Sequence, residues 1–250
     1  MMAAMIRVEP ALVVALAPHG EHAVVARFLS ADQGLVAAYV QGGRGRKLRP
    51  VLQIGNRVAL DLVTKAAGQL AFATVHPLGT NMAMLHGPAA LALVDYLASL
   101  AAATLPEGEA QPRLFPLFDA LFGGAAAGAL AVDVGPALVR LELALLAELG
   151  LGLDLASCAA TGATEDLAFV SPKSRQAVSR GAGLPWAAKL LPLPGFLLGV
   201  VGSGDQADAA AIADGLALTG HFLAREVLQG GVAAKRTWTA RERLVSLLLR

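Results

Sequence analysis

Over the first 80 residues the apolar positions fall in short runs separated by turn signals, and the runs are too brief and too regularly interrupted for helices. Residues 12–17, 23–29, 34–40, 57–64 and 69–75 read as five strands, punctuated by turns at 18–20, 32–34, 42–45, 55–56 and 68. Five such strands predict a small β-barrel. From Pro88 the spacing becomes helical, with Leu91, Val94, Leu97 and Ala98 on one face. Residues 113–122 predict a second helix, followed by an Ala/Gly-rich loop over 123–131. The clearest helix is 136–149: Pro136 suits a first turn, Leu138, Leu141, Leu145 and Leu149 form the apolar stripe, and Gly150 can close it in a left-handed conformation. Periodicity fades over 151–204, resumes over 205–228, and ends in a helix opening at Thr239, with Glu242 at capping-box spacing. The pattern describes an α+β chain of two domains: a barrel over 1–80, and helices over 81–250 with an irregular insert near 151–204.

Composition first raises and then removes a membrane reading. Hydrophobic residues make up 56% of the 250 and mean hydropathy is +0.59, but much of the excess is alanine. The run 88–105 carries Asp95, and 190–201 is short and broken by Pro192 and Pro194, so both read as protein core. The apolar run 11–17 imitates a signal peptide, yet Glu9 flanks it and Pro18 would block cleavage; a first strand accounts for the same residues. One cysteine, Cys158, allows no internal disulfide and fits a reducing cytoplasm.

Net charge is only +1, but it is unevenly spread. Residues 1–80 hold eight Lys/Arg against four Asp/Glu, 81–166 two against ten, and 167–250 ten against five. Basic ends around an acidic middle suit a molecule that meets an anion through particular faces. The sharpest concentration is Gly42–Pro50, where Arg44, Arg46, Lys47 and Arg49 stand in a glycine-rich turn between two strands. A basic loop on a small barrel is suited to single-stranded nucleic acid; the plainer alternative is a hairpin that keeps its charges in water. Tyr39 adjoins the loop and is placed to touch a base, whereas Phe28 and Phe72 are expected in the core. With two Tyr, two Trp and eight Phe, stacking should carry little of the binding and electrostatics most of it.

Catalytic chemistry finds little support. His19, Glu21 and His22 lie in a turn without the one-face spacing of a zinc enzyme. Gly199–Gly204 has neither a Walker lysine nor the order of a dinucleotide fingerprint, and reads as the entry to the helix at Asp205. Cys158 has no neighbouring histidine in sequence, and no serine lies in a nucleophile elbow. A binding protein is the expectation, with no catalytic residue and no cofactor.

Several of these residues fall in a familiar order: Gly20-Glu21, Gly34, Gln41-Gly42-Gly43-Arg44, Leu48-Arg49 and Leu52-Gln53, then Arg140 through Gly150 to Asp154, Cys158 with Thr161-Gly162, Val170-Ser171-Pro172 with Ala177-Val178, and Thr239-Ala240-Arg241-Glu242. The succession resembles the bacterial recombination mediator family RecO along nearly the whole chain. The resemblance implies an OB-fold followed by a helical domain. It implies a protein of the cytoplasm and nucleoid that binds single- and double-stranded DNA, anneals complementary strands and helps load recombinase onto DNA coated with single-strand-binding protein. Implied partners are the C-terminal tail of that protein and the mediator RecR. Arg140 matches the family's basic residue for the tail, with Leu141 or Leu145 lining an apolar notch; the alternative for Arg140 is a pair with an acid on its own helix. A scaffold that binds only proteins is the competing function. Some relatives carry a four-cysteine zinc site, but here Thr161, Ser179 and Ala182 stand with Cys158, so no metal is expected. Ile54 replaces a common proline and leaves the exit of the basic loop open.

Overall fold

The computed structural model describes residues 5–64, 68–79, 85, 87–129, 131–198 and 207–250. Its contacts divide the chain into two compact units, Met1–Ala129 with Thr239–Leu244, and Leu130–Trp238 with Val245–Arg250.

In the first unit β1 (Met5–His19), β2 (Ala23–Ser30), β3 (Gly34–Val40), β4 (Arg57–Val63) and β5 (Ala71–Pro77) close into a barrel in the order β1-β2-β3-β5-β4, the order of an OB-type barrel. Every pair is antiparallel except β3 with β5. The strands form where the apolar runs predict them, and alternate residues line the interior: Val24, Ala26 and Phe28 from β2, Ala38 and Val40 from β3, Leu60 and Leu62 from β4, Ala73 and Val75 from β5. Burying each of the larger aliphatic side chains stabilises the barrel by about 1.5–3 kcal/mol. Strand β1 starts seven residues before its predicted position. Its early part pairs with β4, and a register shift between Val8 and Ala11 breaks the alternation by which it would be recognised.

After the barrel come α1 (Pro88–Thr104), with Pro88 in its first turn, and α2 (Leu114–Ala127). Helix α2 runs through 123–127, where a loop was expected, and stops at Gly128 with φ of +74°. Helical hydrogen bonding tolerates its two glycines because Leu121, Phe122 and Ala125 are buried around them. At the β2–β3 turn, Gly34 has φ of +59°, and a Cβ there would lie 1.7 Å from the Glu109 carbonyl oxygen. Only glycine fits that approach. Arg57 at the start of β4 makes a two-pronged pair with Asp119 of α2, one arm at 2.7 Å.

In the second unit α3 (Ala131–Glu148) starts five residues before Pro136, so the proline sits inside the helix rather than at its first position. Its stripe of Leu138, Leu141 and Leu145 is fully buried, and Gly150, at φ of +75°, closes the helix as its sequence predicts. The Leu151 amide donates to the Leu146 carbonyl at 2.7 Å, satisfying an end carbonyl. The insert is more regular than expected: β6 (Leu167–Val170), β7 (Ala177–Ser179) and β8 (Leu191–Pro192) form a small sheet in the order β7-β6-β8, with α4 (Arg180–Gly183) after β7. Strands of two to four residues are too short to show a period. Helix α5 (Ala209–Phe222) is capped by Asp208, which accepts from the Ala211 amide at 2.7 Å. It packs on α3, where the Thr219 hydroxyl donates to the fully buried Glu142 carboxylate. Helix α6 (Gly231–Leu248) starts eight residues before Thr239, which is therefore interior and makes no capping box; exposed Val232 opens the added turns, where no apolar stripe announced them. The 199–204 stretch and Asp205 lie outside the described residues. Among the described residues no helix is long and apolar enough to cross a membrane.

Candidate nucleic-acid interface

The loop between β3 and β4 is built by its apolar residues and leaves its cations outside. Leu52 is buried in the barrel core, with Leu48 and Val51 packed against it. The Leu48 and Arg49 amides donate to the Gly45 carbonyl at 3.2 and 3.0 Å, and the Val51 and Leu52 amides to Leu48 at 3.0 and 2.8 Å, so 45–52 winds in consecutive helical turns. At Gly43 a Cβ would stand 2.5 Å from Val24 Cγ2, which lets the loop lie flat on the barrel. Its exit is held by buried Asn56, whose side-chain amide donates to the Pro50 and Val51 carbonyls at 3.0 and 2.9 Å, and by Gln53, which donates to the Arg49 carbonyl at 2.8 Å. Ile54 thus leaves the exit defined without a proline. The sequence marked Gln53 only as part of a family motif and Asn56 only as part of a turn, and assigned neither an anchoring role, since an isolated amide side chain carries no pattern.

Arg44, Arg46, Lys47 and Arg49 are all exposed, and none meets a carboxylate among the described residues. The other barrel arginines behave differently. Arg7 bonds Asp61 at 2.9 Å and Glu9 at 3.0 Å, Arg27 bonds Glu107 at 2.8 Å, and Arg57 bonds Asp119. The hydrogen bond from Arg7, and then that from His76, hold the Asp61 carboxyl below its ordinary pKa. Acids are therefore available on this unit, but they neutralise the structural arginines and leave the loop's charge uncompensated. Arg44 is tied to the β1–β2 turn, its amide donating to the His22 carbonyl at 3.1 Å and its guanidinium to Gly20 at 3.0 Å. Arg44 and Arg49 also border a cleft of about 680 Å³ whose other walls include Leu16, Val24, Leu91 and Val94.

Tyr39 is half-buried on the barrel exterior, its ring 5.3 Å from that of Phe72 and 5.6 Å from that of His19. Phe28 is buried as expected, but Phe72 is 40% exposed. Alternation on β5 sends Ala73 and Val75 inward and so turns Phe72 outward. His19 ends β1 and His22 lies in the turn that follows, and no cluster of three metal-binding side chains occurs among the described residues.

In the second unit Arg140 is exposed on α3, yet it pairs with no acid of its own helix. Its guanidinium donates to the Phe196 carbonyl at 3.2 Å and lies 5.5 Å from the centre of that ring. Leu141 and Leu145 are completely buried and present no surface to a peptide, which corrects their assignment to a binding notch. Cys158 is buried, and its sulfur accepts from the Ser179 amide at 3.2 Å. Hydrogen bonding from Ser179, side chain before backbone, and then from Thr161 lowers the thiol pKa to about 6 against the opposing effect of burial. The donors gathered here are one thiol and two hydroxyls, which do not fit a structural zinc.

Comparison with known families settles the lineage. Residues 5–77 match the model described as recombination protein O N terminal, and 85–235 match recombination protein O C terminal. The chain belongs to the RecO family. It is similar to proteins named DNA repair protein RecO from Acidiphilium cryptum (45% identical over 221 residues, 87% of this chain and 86% of the relative), Phenylobacterium zucineum (45% over 217 residues, 86% of each) and Paracoccus denitrificans (42% over 238 residues, 95% and 94%). The RecO N-terminal match spans all five barrel strands, and the C-terminal match begins just before α1. RecO proteins act in DNA repair and recombination.

Proposed function

We propose that this RecO-family chain is a non-enzymatic mediator that binds single- and double-stranded DNA, anneals complementary strands and helps load recombinase onto DNA coated with single-strand-binding protein, with RecR as a working partner at the nucleoid. The reading is supported above all by the four exposed cations on the β3–β4 loop, which meet no carboxylate among the described residues, beside three barrel arginines that are each neutralised. Such a loop holds phosphates through counterion release and takes no part in choosing bases. Bases left free can pair with a second strand, which is the requirement for annealing.

For the tail of single-strand-binding protein, Arg140 remains the proposed anchor, now with the half-buried Phe196 ring as the apolar neighbour in place of Leu141 and Leu145. An exposed guanidinium resting on an aromatic face can take a terminal carboxylate. The deciding experiment is annealing of complementary oligonucleotides, naked and coated with single-strand-binding protein. Acceleration in both cases is expected; a protein that binds its partners but neither retains DNA in a gel shift nor accelerates annealing is a scaffold instead.

A further inference from the structure

The three rings of His19, Tyr39 and Phe72 lie on the outside of the barrel, brought together by the end of β1, where His19 stands, and by the parallel pairing of Tyr39 with Phe72. Phe72 is 40% exposed although apolar, and the surface continues through half-buried Val63, which pairs with both Phe72 and the exposed Met5. The cationic loop begins immediately after β3, and Arg44 is bonded to the carbonyls of Gly20 and His22 beside His19. Arg44, the first cation of the loop, therefore stands beside the His19 end of the ring row.

We infer that this ring row is a stacking site for unpaired bases, and that it makes the barrel favour single strands over duplex. The inference rests on the DNA-binding reading above. An apolar surface alone would suit many occupants, but one that meets the cationic loop at Arg44, a loop whose four cations face no carboxylate among the described residues, matches a polyanion that also carries flat apolar faces. A single strand offers both, and a duplex keeps its base faces stacked inside. Protein partners that cover an apolar patch do not require this excess of positive charge. The row is short, so it fixes the strand at one place while the phosphate contacts leave most bases free to pair.

The test is Phe72→Ala in the full chain, measured by anisotropy with a labelled oligothymidine and with a duplex of equal length. Removing one stacking ring should weaken single-strand binding on the order of tenfold, while duplex affinity and the salt slope stay at wild type. Phe72→Trp should restore affinity and show fluorescence quenching by the oligonucleotide, beyond the response of the native tryptophans. Equal single-strand affinity for wild type and Phe72→Ala overturns the stacking site alone, as does a parallel loss on both DNA forms or a change confined to the sedimentation coefficient. A wild-type protein that binds neither DNA form overturns the DNA-binding reading itself.

Discussion

Replacing Arg44, Arg46, Lys47 and Arg49 together with Ala tests the interface most directly, because its effect can be worked out beforehand. All four side chains are exposed and, among the described residues, none is paired with a carboxylate, so folding stability should hardly change; the side-chain hydrogen bond of Arg44 to Gly20 is lost, worth about 0.5–1.5 kcal/mol. DNA binding should respond strongly. If each cation neutralises one phosphate of a single strand, the log–log dependence of affinity on salt loses roughly 0.7 per contact, or about 3 in all. For the wild type, that share alone predicts a loss of roughly fiftyfold in affinity between about 50 and 200 mM salt, and the variant should lack it. Anisotropy of a labelled oligothymidine over a salt series gives both slopes, and a mixed-sequence strand should give the same difference. Arg7→Ala is the internal control: that arginine is already bound to Asp61 and Glu9 and should barely move the slope. An unaltered slope in the fourfold variant, or an equal change from Arg7→Ala, would refute the reasoning and return the loop to an ordinary solvated turn.

Three other outcomes are expected. Gly34→Ala places a methyl group into the Glu109 backbone at a positive φ and should cost about 3 kcal/mol or more, read as a lowered urea midpoint; a variant within about 0.5 kcal/mol of wild type contradicts that packing. Cys158 has a folded pKa of about 6 against an ordinary 9.0, so its contribution to stability is complete above the unfolded value and is lost as pH falls through about 6; thiolate absorbance should titrate near 6, Cys158→Ser should flatten the stability profile between those limits, and elemental analysis should find no stoichiometric zinc. Arg140→Glu should weaken binding of the single-strand-binding protein's tail peptide by about tenfold while annealing of naked DNA stays at wild type; equal losses in both, or an unchanged peptide affinity, refute the assignment.

The sequence alone located the five strands, the change to helical spacing and the cationic loop, because alternation, turn residues and clustered charge are local properties. Alternation failed where the chain was locally irregular. The register shift in β1 hid its first half, the strands of the second-unit sheet were too brief to show a period, and the exposed start of α6 had no apolar stripe. The candidate site divides in the same way. That four cations stand together on one turn is written in the chain; that they remain uncompensated depends on where distant acids go. Asp119 reaches Arg57 across 62 positions and Glu107 reaches Arg27 across 80, while no carboxylate arrives at the loop among the described residues. Burial was decided at the same level. Leu141 and Leu145 belong to the stripe that packs inward, and Phe72 faces out because closing the barrel sets which alternate residues of β5 point to its interior. Tyr39 and Phe72 become neighbours only through the parallel β3–β5 pairing, a contact 33 residues apart in sequence that local pattern cannot specify and barrel closure imposes.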